Sequence, residues 1–228
     1  MNSSKILVIG ASGFLGSSIC QYLNLRGHDV TGTSRKQCIK LQDELDIKII
    51  PFNYLEDTLH SFNFDVVIHC GTPNDILSKN NLLGLRSSVE GTWNILNSLV
   101  QNDTNKLIFF STLQVYGSNL NGTYRENSKA NANNSYGLNH FLGEEVCDYF
   151  SVNHDMNICA IRPSNVFGIP VASSVDRSSL VPFCFIKELT NEESISIRSS
   201  GLQSRNFVSL FEVNLTIEKI LLDFLKNR

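Results

Sequence analysis

Lys5-Ile6-Leu7-Val8-Ile9 runs without a break into Gly10-Ala11-Ser12-Gly13-Phe14-Leu15-Gly16, and an amphipathic stretch continues from there to Arg26-Gly27. An apolar β-branched strand, glycines at three-residue spacing and then a helix form a ready-made pyrophosphate site. Gly10 lets the chain turn sharply, Gly13 leaves room for backbone to approach a phosphate, and Gly16 lets the helix lie close on the strand. The N–H groups of the first helical turn face the anion, so Ser12, Phe14 and Leu15 complete the candidate cofactor-binding loop.

The totals narrow the field of partners. A chain of 228 residues can bury a full core, and a net charge of -3 with a pI near 5.9 offers no basic surface for nucleic acid or an anionic membrane. Small molecules are the expected partners. The six cysteines form no C-x-x-C pair and sit mostly in apolar runs, which suits reduced core thiols rather than disulfides or a metal site. Neither a signal-peptide pattern nor an apolar run of spanning length is present, so a cytoplasmic protein is expected.

Asp29 to Thr33 reads as a second strand ending in Ser34-Arg35-Lys36, where a dinucleotide fold meets the adenosine ribose. An acid there would accept bonds from both ribose hydroxyls and repel a 2′-phosphate. A hydroxyl, a guanidinium and an ammonium favour NADP(H) instead, with NAD(H) as the alternative. Ile47 to Pro51 is a third strand, and Asn53-Tyr54 at its end are candidate adenine contacts. Phe64 to His69 is a fourth; it enters Cys70-Gly71-Thr72, where little side-chain bulk lets the chain pass close to a cofactor. His69, inside a buried run, reads as a satisfied core histidine.

Leu82, Leu85, Val89, Trp93, Leu96 and Leu99 recur at helical spacing and predict one long crossover helix over 82–100. Lys106 to Phe110 is the fifth strand, residues 117–135 a surface loop over the crevice mouth, and Tyr136 opens another helix that runs through Phe150. Asn157 to Arg162 is the sixth strand. Beyond residue 169 the pattern predicts a loop over Pro170–Ser179, a helix over Leu180–Leu189, an edge strand over Ser194–Arg198, a short strand at Phe207-Val208 and a closing helix over Val213–Leu225. Strands alternating with helices mean a parallel sheet covered on both faces.

Assembled, these blocks resemble the extended short-chain dehydrogenase/reductase family, specifically its NAD-dependent epimerase/dehydratase branch that acts on nucleotide sugars. Gly10-x-x-Gly13-x-x-Gly16 is similar to its cofactor loop, Ser111 to Gly117 to its strand-five motif, and Tyr136-Gly137 to the start of its Tyr-x-x-x-Lys helix. Arg162 to Gly168 and Gly201 to Val208 are similar to blocks that face the sugar nucleotide. The resemblance implies a Rossmann-like doubly wound fold: residues 1–168 as the dinucleotide-binding domain and 169–228 as a small, truncated substrate-binding part packed on it, the whole a single structural unit.

It also implies roles. Tyr136 is the acid or base at a sugar carbinol, Thr112 hydrogen-bonds the same oxygen, and a lysine one turn past the tyrosine lowers the phenol's pKa and holds the nicotinamide ribose. Here that lysine is His140, an uncertain substitute, and the family's asparagine on the crossover helix is Ser88. Asn165 and Arg205 match positions that touch the substrate diphosphate. Leu113-Gln114 offers neither the acidic pair of the dehydratases nor the cysteine of relatives that epimerise beside a ketone. What remains is an NADP(H)-dependent oxidoreductase or isomerase that works by 4-keto reduction or 4-epimerisation, in a setting such as polysaccharide biosynthesis. The alternatives are a catalytically impaired NAD(P)-binding protein with a regulatory or assembly role, and a reductase of a small carbonyl compound. The family packs the helices corresponding to 82–100 and 136–150 into dimers, so a homodimer is implied, and the reduced substrate part implies a more open pocket, a pocket completed by a partner chain, or a substrate smaller than a nucleotide sugar.

Overall fold

The computed structural model describes residues 3–36, 38–57, 59, 63–175, 180–192, 194–197 and 200–226. Six strands, β1 (Lys5–Ile9), β2 (Asp29–Ser34), β3 (Lys48–Pro51), β4 (Val66–His69), β5 (Lys106–Phe110) and β6 (Asn157–Ile161), pair in the order β3-β2-β1-β4-β5-β6. Every pairing is parallel. The order reverses between β1 and β4, which opens a crevice at their carboxyl ends.

The strands are apolar throughout because both faces are covered. Ile6, Val8, Ile68, Ile108 and Phe110 meet Ile19 and Leu23 of α1 (Phe14–Leu25) on one side. Leu7, Ile9, Val67, Leu107 and Phe109 meet Ile95, Leu96 and Leu99 on the other. Each such side chain, removed from water, contributes roughly 1.5–3 kcal/mol. A short helix that the residue pattern did not announce, α2 (Ile39–Leu45), bridges β2 to β3 and closes on Asp46 in left-handed conformation.

The crossover helix forms in three pieces: α3 (Asn81–Leu85), one wide π turn over Arg86–Glu90, and α4 (Gly91–Gln101). Its apolar stripe is not uniformly buried. Leu82, Val89 and Trp93 face outward, whereas Ile95, Leu96 and Leu99 are core. The reason is the close approach of α5 (Ser135–His154) and of Tyr54: a Cβ on Gly84 would strike the Asn139 amide, and one on Gly91 would strike the Tyr54 ring. Only small residues fit that inner face, so the large ones turn to solvent, where Trp93 stacks on Tyr149 of α5 with ring centroids 5.3 Å apart.

After β6, β7 (Asn165–Phe167) pairs in parallel with β8 (Phe207–Ser209), a separate two-stranded sheet. α6 (Val181–Glu192) contributes Phe183, whose ring meets Phe14 edge-on at 5.9 Å. α7 (Leu210–Lys226) starts on a capping box in which the N–H of Ser209 donates to Glu212 and the N–H of Glu212 donates to the Ser209 hydroxyl. It then returns to the main sheet, burying Val213, Ile217, Leu221 and Phe224 with the α1 side of the core. The edge strand expected from residue 194 does not form over 194–197: Ile195 and Ile197 are exposed and no strand pairs with them. Arg198, and residues 176–179 of the expected loop, lie outside the described residues.

Candidate active site

The glycine turn is built by exclusion. Gly10 has φ +87°, and a Cβ there would lie 2.8–2.9 Å from the backbone of Gly71, which follows β4. A Cβ on Gly16 would enter the Gly10 carbonyl, while Gly13 donates its N–H to that carbonyl at 3.0 Å. The N–H of Ala11 donates to Thr33 at the end of β2. Backbone from β1, β2 and β4 is therefore locked together at the switch point. Gly13 caps α1 without any side-chain hydrogen bond, and no acid stands in the first turn, so the positive end of the helix dipole is left for an anion.

Ser34, buried at the end of β2, hydrogen-bonds Ser12 of the glycine turn at 3.2 Å, and Arg35 and Lys36 stand exposed beside it. Asn53 closes the turn after β3 through its side-chain oxygen. Tyr54 is core rather than an open contact: its ring packs among Gly91, Gly71 and His69, and burial pushes its hydroxyl's pKa up. Desolvation likewise raises the Cys70 thiol well above its ordinary value. Cys70, Gly71 and Thr72, partly exposed, form the tail of β4 that runs from the glycine turn toward α5.

Thr112 ends the extended chain after β5, and its side-chain oxygen accepts from the N–H of Gln114, capping the 3-10 turn Leu113–Tyr116. The first turn of α5 lies directly on that cap, because a Cβ on Gly137 would strike the Gln114 carbonyl. Tyr136 is thereby set beside the Thr112 segment. One turn on, His140 meets the Tyr136 ring edge-on with centroids 4.6 Å apart. Its imidazole is buried, the backbone carbonyls of Phe110 and Pro73 face its ring, and desolvation outweighs them and pulls its pKa from 6.5 to about 4. At neutral pH it carries no charge, so it cannot supply the cation that a lysine would place beside the phenol. Ser88 donates its hydroxyl to the Asn139 carbonyl, fastening the π turn to α5.

A further polar partnership was not legible in the sequence. Arg162, just past β6, grips Glu144 of α5 with a two-pronged bond, Nε to Oε1 at 2.8 Å and Nη2 to Oε2. Its Nη1 donates to the Tyr116 hydroxyl at 2.6 Å and to the Glu126 carbonyl. These bonds hold the guanidinium charged, raising its pKa, and tie α5, the Thr112 segment and the mouth loop to one residue. The available signal was Glu144, an acid two turns past Tyr136 on the same helical face.

Asn165 and Arg205 lie together on the β7–β8 unit, where the Asn165 side chain donates to the Asn206 carbonyl at 2.9 Å. The Arg205 guanidinium bonds the Ser204 carbonyl and is exposed.

A doubly wound parallel sheet with a glycine turn at its switch point defines a Rossmann-like α/β protein. The chain belongs to the NAD dependent epimerase/dehydratase family, whose sequence profile matches residues 6–214. It is 25% identical over 233 residues to a dTDP-4-dehydro-6-deoxy-D-allose reductase of a Streptomyces species, covering 91% of this chain and 69% of that protein. It is 27% identical over 219 residues to the UDP-N-acetyl-alpha-D-glucosaminuronate decarboxylase of Bacillus cytotoxicus, covering 89% and 66%. The UDP-glucuronic acid 4-epimerase of Bacillus cereus, solved in complex with NAD, shares the fold with a TM-score of 0.84 at 23% identity, over 95% of this chain and 72% of that one. No described helix is long and apolar enough to cross a membrane.

Proposed function

We propose that this chain is an NADP(H)-dependent enzyme of a nucleotide-activated sugar that reduces a 4-keto group or inverts the carbon by 4-epimerisation. The observation that carries the reading is the Tyr136–His140 ring contact at the start of a helix whose Gly137 lies on the turn that Thr112 caps, past the end of β5. The residues present fit a dinucleotide: the amino end of α1 has no side-chain cap, and no acid stands in its first turn. When bound, the nicotinamide supplies reversible hydride transfer at a sugar carbon.

Gly10, Ser12, Gly13, Phe14, Leu15 and Gly16 would hold the pyrophosphate. Ser34 and Arg35, helped by Lys36, would take a 2′-phosphate, Asn53 and the buried edge of Tyr54 would flank the adenine, and Cys70, Gly71 and Thr72 would line the path to the nicotinamide. Tyr136 donates or accepts the carbinol proton, and Thr112 orients the oxygen. A neutral His140 leaves the phenol protonated, which suits donation to a ketone oxygen better than abstraction from an alcohol. Asn165 and Arg205 would grip the diphosphate of the substrate on the 169–228 part. The exposed Leu82, Val89, Trp93 and Tyr149 on the α4–α5 face suit a cytoplasmic homodimer.

The test is to mix the purified protein with NADPH or NADH and a panel of UDP-, dTDP-, GDP- and CDP-linked sugars and 4-keto sugars, following nicotinamide absorbance and product mass. Turnover of one such sugar that is lost in Tyr136→Phe supports the reading. Coenzyme binding with no turnover on any of them rejects it in favour of a binding protein.

A further inference from the structure

Thr112 and Tyr136 are joined along the chain by the cap turn and the loop 117–134, and most of that loop is exposed. A connection of that length cannot by itself hold two side chains at a fixed separation. The close approach of Gly137 to the Gln114 carbonyl sets how near α5 can come to the Thr112 segment. Steric contact sets a lower limit and no upper one, so a bond across the gap is needed as well.

Arg162 is placed to supply it. Its backbone is fastened to the Thr112 segment from both sides: the N–H of Ser111 donates to the Ile161 carbonyl at 2.8 Å, and that of Leu113 to the Pro163 carbonyl at 3.0 Å. The side chain then reaches the other way. Its Nε and Nη2 hold both oxygens of Glu144, which lies two turns past Tyr136 on α5 and is only 4% exposed. Its Nη1 donates to the Tyr116 hydroxyl and to the Glu126 carbonyl. Tyr116 carries the connection on, because its hydroxyl donates to the Arg125 carbonyl at 2.8 Å, and Arg125 and Ser128 close a turn on each other. Four of the five guanidinium N–H groups are thereby engaged, in a planar fork that an ammonium cannot copy. Without that fork the Glu144 carboxylate would be a buried charge with no counter-ion.

We propose that Arg162 is a positioning residue for the Thr112–Tyr136 pair: anchored by its backbone to the Thr112 segment, it draws α5 in through Glu144 and holds the mouth loop down through Tyr116 and Glu126, so that the placement of the Tyr136 phenol and the seating of the loop are set together. It acts through Glu144 and Tyr116 and not on the reacting atoms. The effect on turnover rests on the function proposed above, whereas the placement of Tyr136 does not.

The experiment compares the wild type with Tyr116→Phe, which removes one hydroxyl, and Arg162→Lys, which keeps the charge but not the fork. Protein labelled with 13C at tyrosine Cζ, with no ligand added, reports on the Tyr136 phenol, whose signal is assigned by its loss in Tyr136→Phe. Hydrogen exchange followed by mass spectrometry reports on the loop. Both variants should displace or broaden the Tyr136 signal and speed exchange across residues 117–134 about fivefold or more, Arg162→Lys the more strongly. On a sugar that the wild type turns over, kcat measured well below the melting transition should fall about tenfold in Tyr116→Phe and further in Arg162→Lys. A Tyr136 signal unmoved in Tyr116→Phe overturns the inference. Faster loop exchange with an unchanged kcat also overturns it, leaving Arg162 a structural bond only. Should Arg162→Lys fail to fold, Tyr116→Phe decides both points. Should the wild type turn over no sugar, the function proposed above falls, and the Tyr136 signal still decides the placement.

Discussion

The glycine turn and the β7–β8 unit both carry candidate phosphate contacts, yet they are built by opposite means. At the glycine turn, backbone touches backbone: Gly10 abuts Gly71, Gly16 abuts Gly10, and Ala11 is bonded to Thr33, so three strands hold one shape. On the β7–β8 side, two three-residue strands hold Asn165, with Arg205 just ahead of β8, while Phe167, Phe207, Leu202 and Phe211 stay exposed. The first region is specified by what cannot fit and needs no ligand to stay in place. Among the described residues the second meets the main core through the partly buried Val166 and Val208, a smaller anchorage that leaves it the less stable part.

The largest effect that would test this contrast is Gly10→Ala. The side chain would meet both an unfavourable positive φ and the Gly71 backbone, at a combined cost of roughly 2–5 kcal/mol. The variant should fail to yield folded protein, or melt far below wild type in a urea titration. Near-native stability would mean that the turn yields, and the contrast would dissolve.

Acid should strike the same region. His69 and His140 are neutral in the folded protein, with pKa values pulled from 6.5 to about 3 and about 4, but both protonate in the unfolded chain near the ordinary value. The unfolded state therefore binds more protons below pH 6.5, so stability is intact above that pH and falls as pH drops toward the folded values. At about 1.4 kcal/mol per pH unit for each ring, moving from pH 7 to 5 should remove roughly 4 kcal/mol. His140→Phe should halve that slope in urea melts run at the two pH values. A flat profile would show that neither imidazole is sealed as the packing implies.

Coenzyme choice gives a smaller effect. Arg35→Ala should weaken NADPH roughly tenfold while leaving NADH nearly unchanged, measured by quenching of Trp93 fluorescence or by calorimetry. Equal weakening of both would place the guanidinium on the pyrophosphate or the adenine rather than on a 2′-phosphate.

Most of the sheet was legible because a buried parallel strand writes itself as an unbroken apolar run, as in β1, β4 and β5, and because glycine at positions 10 and 16 has few readings other than close backbone contact. The crossover helix was only half legible. Periodicity groups Leu82, Val89 and Trp93 with Leu96 and Leu99 but does not say that α5 and Tyr54 occupy the inner side, nor that the helix widens into a π turn at Arg86–Glu90. Partners distant in the chain were invisible for the same reason. The Arg162 fork on Glu144 and the Nε2 of His69, which has no partner among the described residues, depend on which elements the fold brings together, and the alternation of Ile195 and Ile197 looked like a strand without another strand to receive it. At His140 the residue pattern identified the departure from lysine, whereas its lack of charge required the burial that only packing supplies.

The smallest predicted effect is the counterpart of the largest. Gly201 also has a positive φ, +71°, but among the described residues the nearest atom to an added Cβ is the Ile197 Cγ2 methyl at 3.8 Å, an ordinary contact. Gly201→Ala therefore faces the backbone term alone, about 1 kcal/mol, and the segment can relax part of it because Leu202 to Asn206 are exposed and join no strand. Urea melts should place the variant within about 1 kcal/mol of wild type. The change should appear instead in the KM for the nucleotide sugar, since Arg205 follows four residues later in the same exposed segment and any shift of the chain moves its guanidinium. A destabilisation equal to that of Gly10→Ala would mean that the substrate side is as tightly built as the coenzyme side. An unchanged KM would remove Arg205 from the substrate's grip.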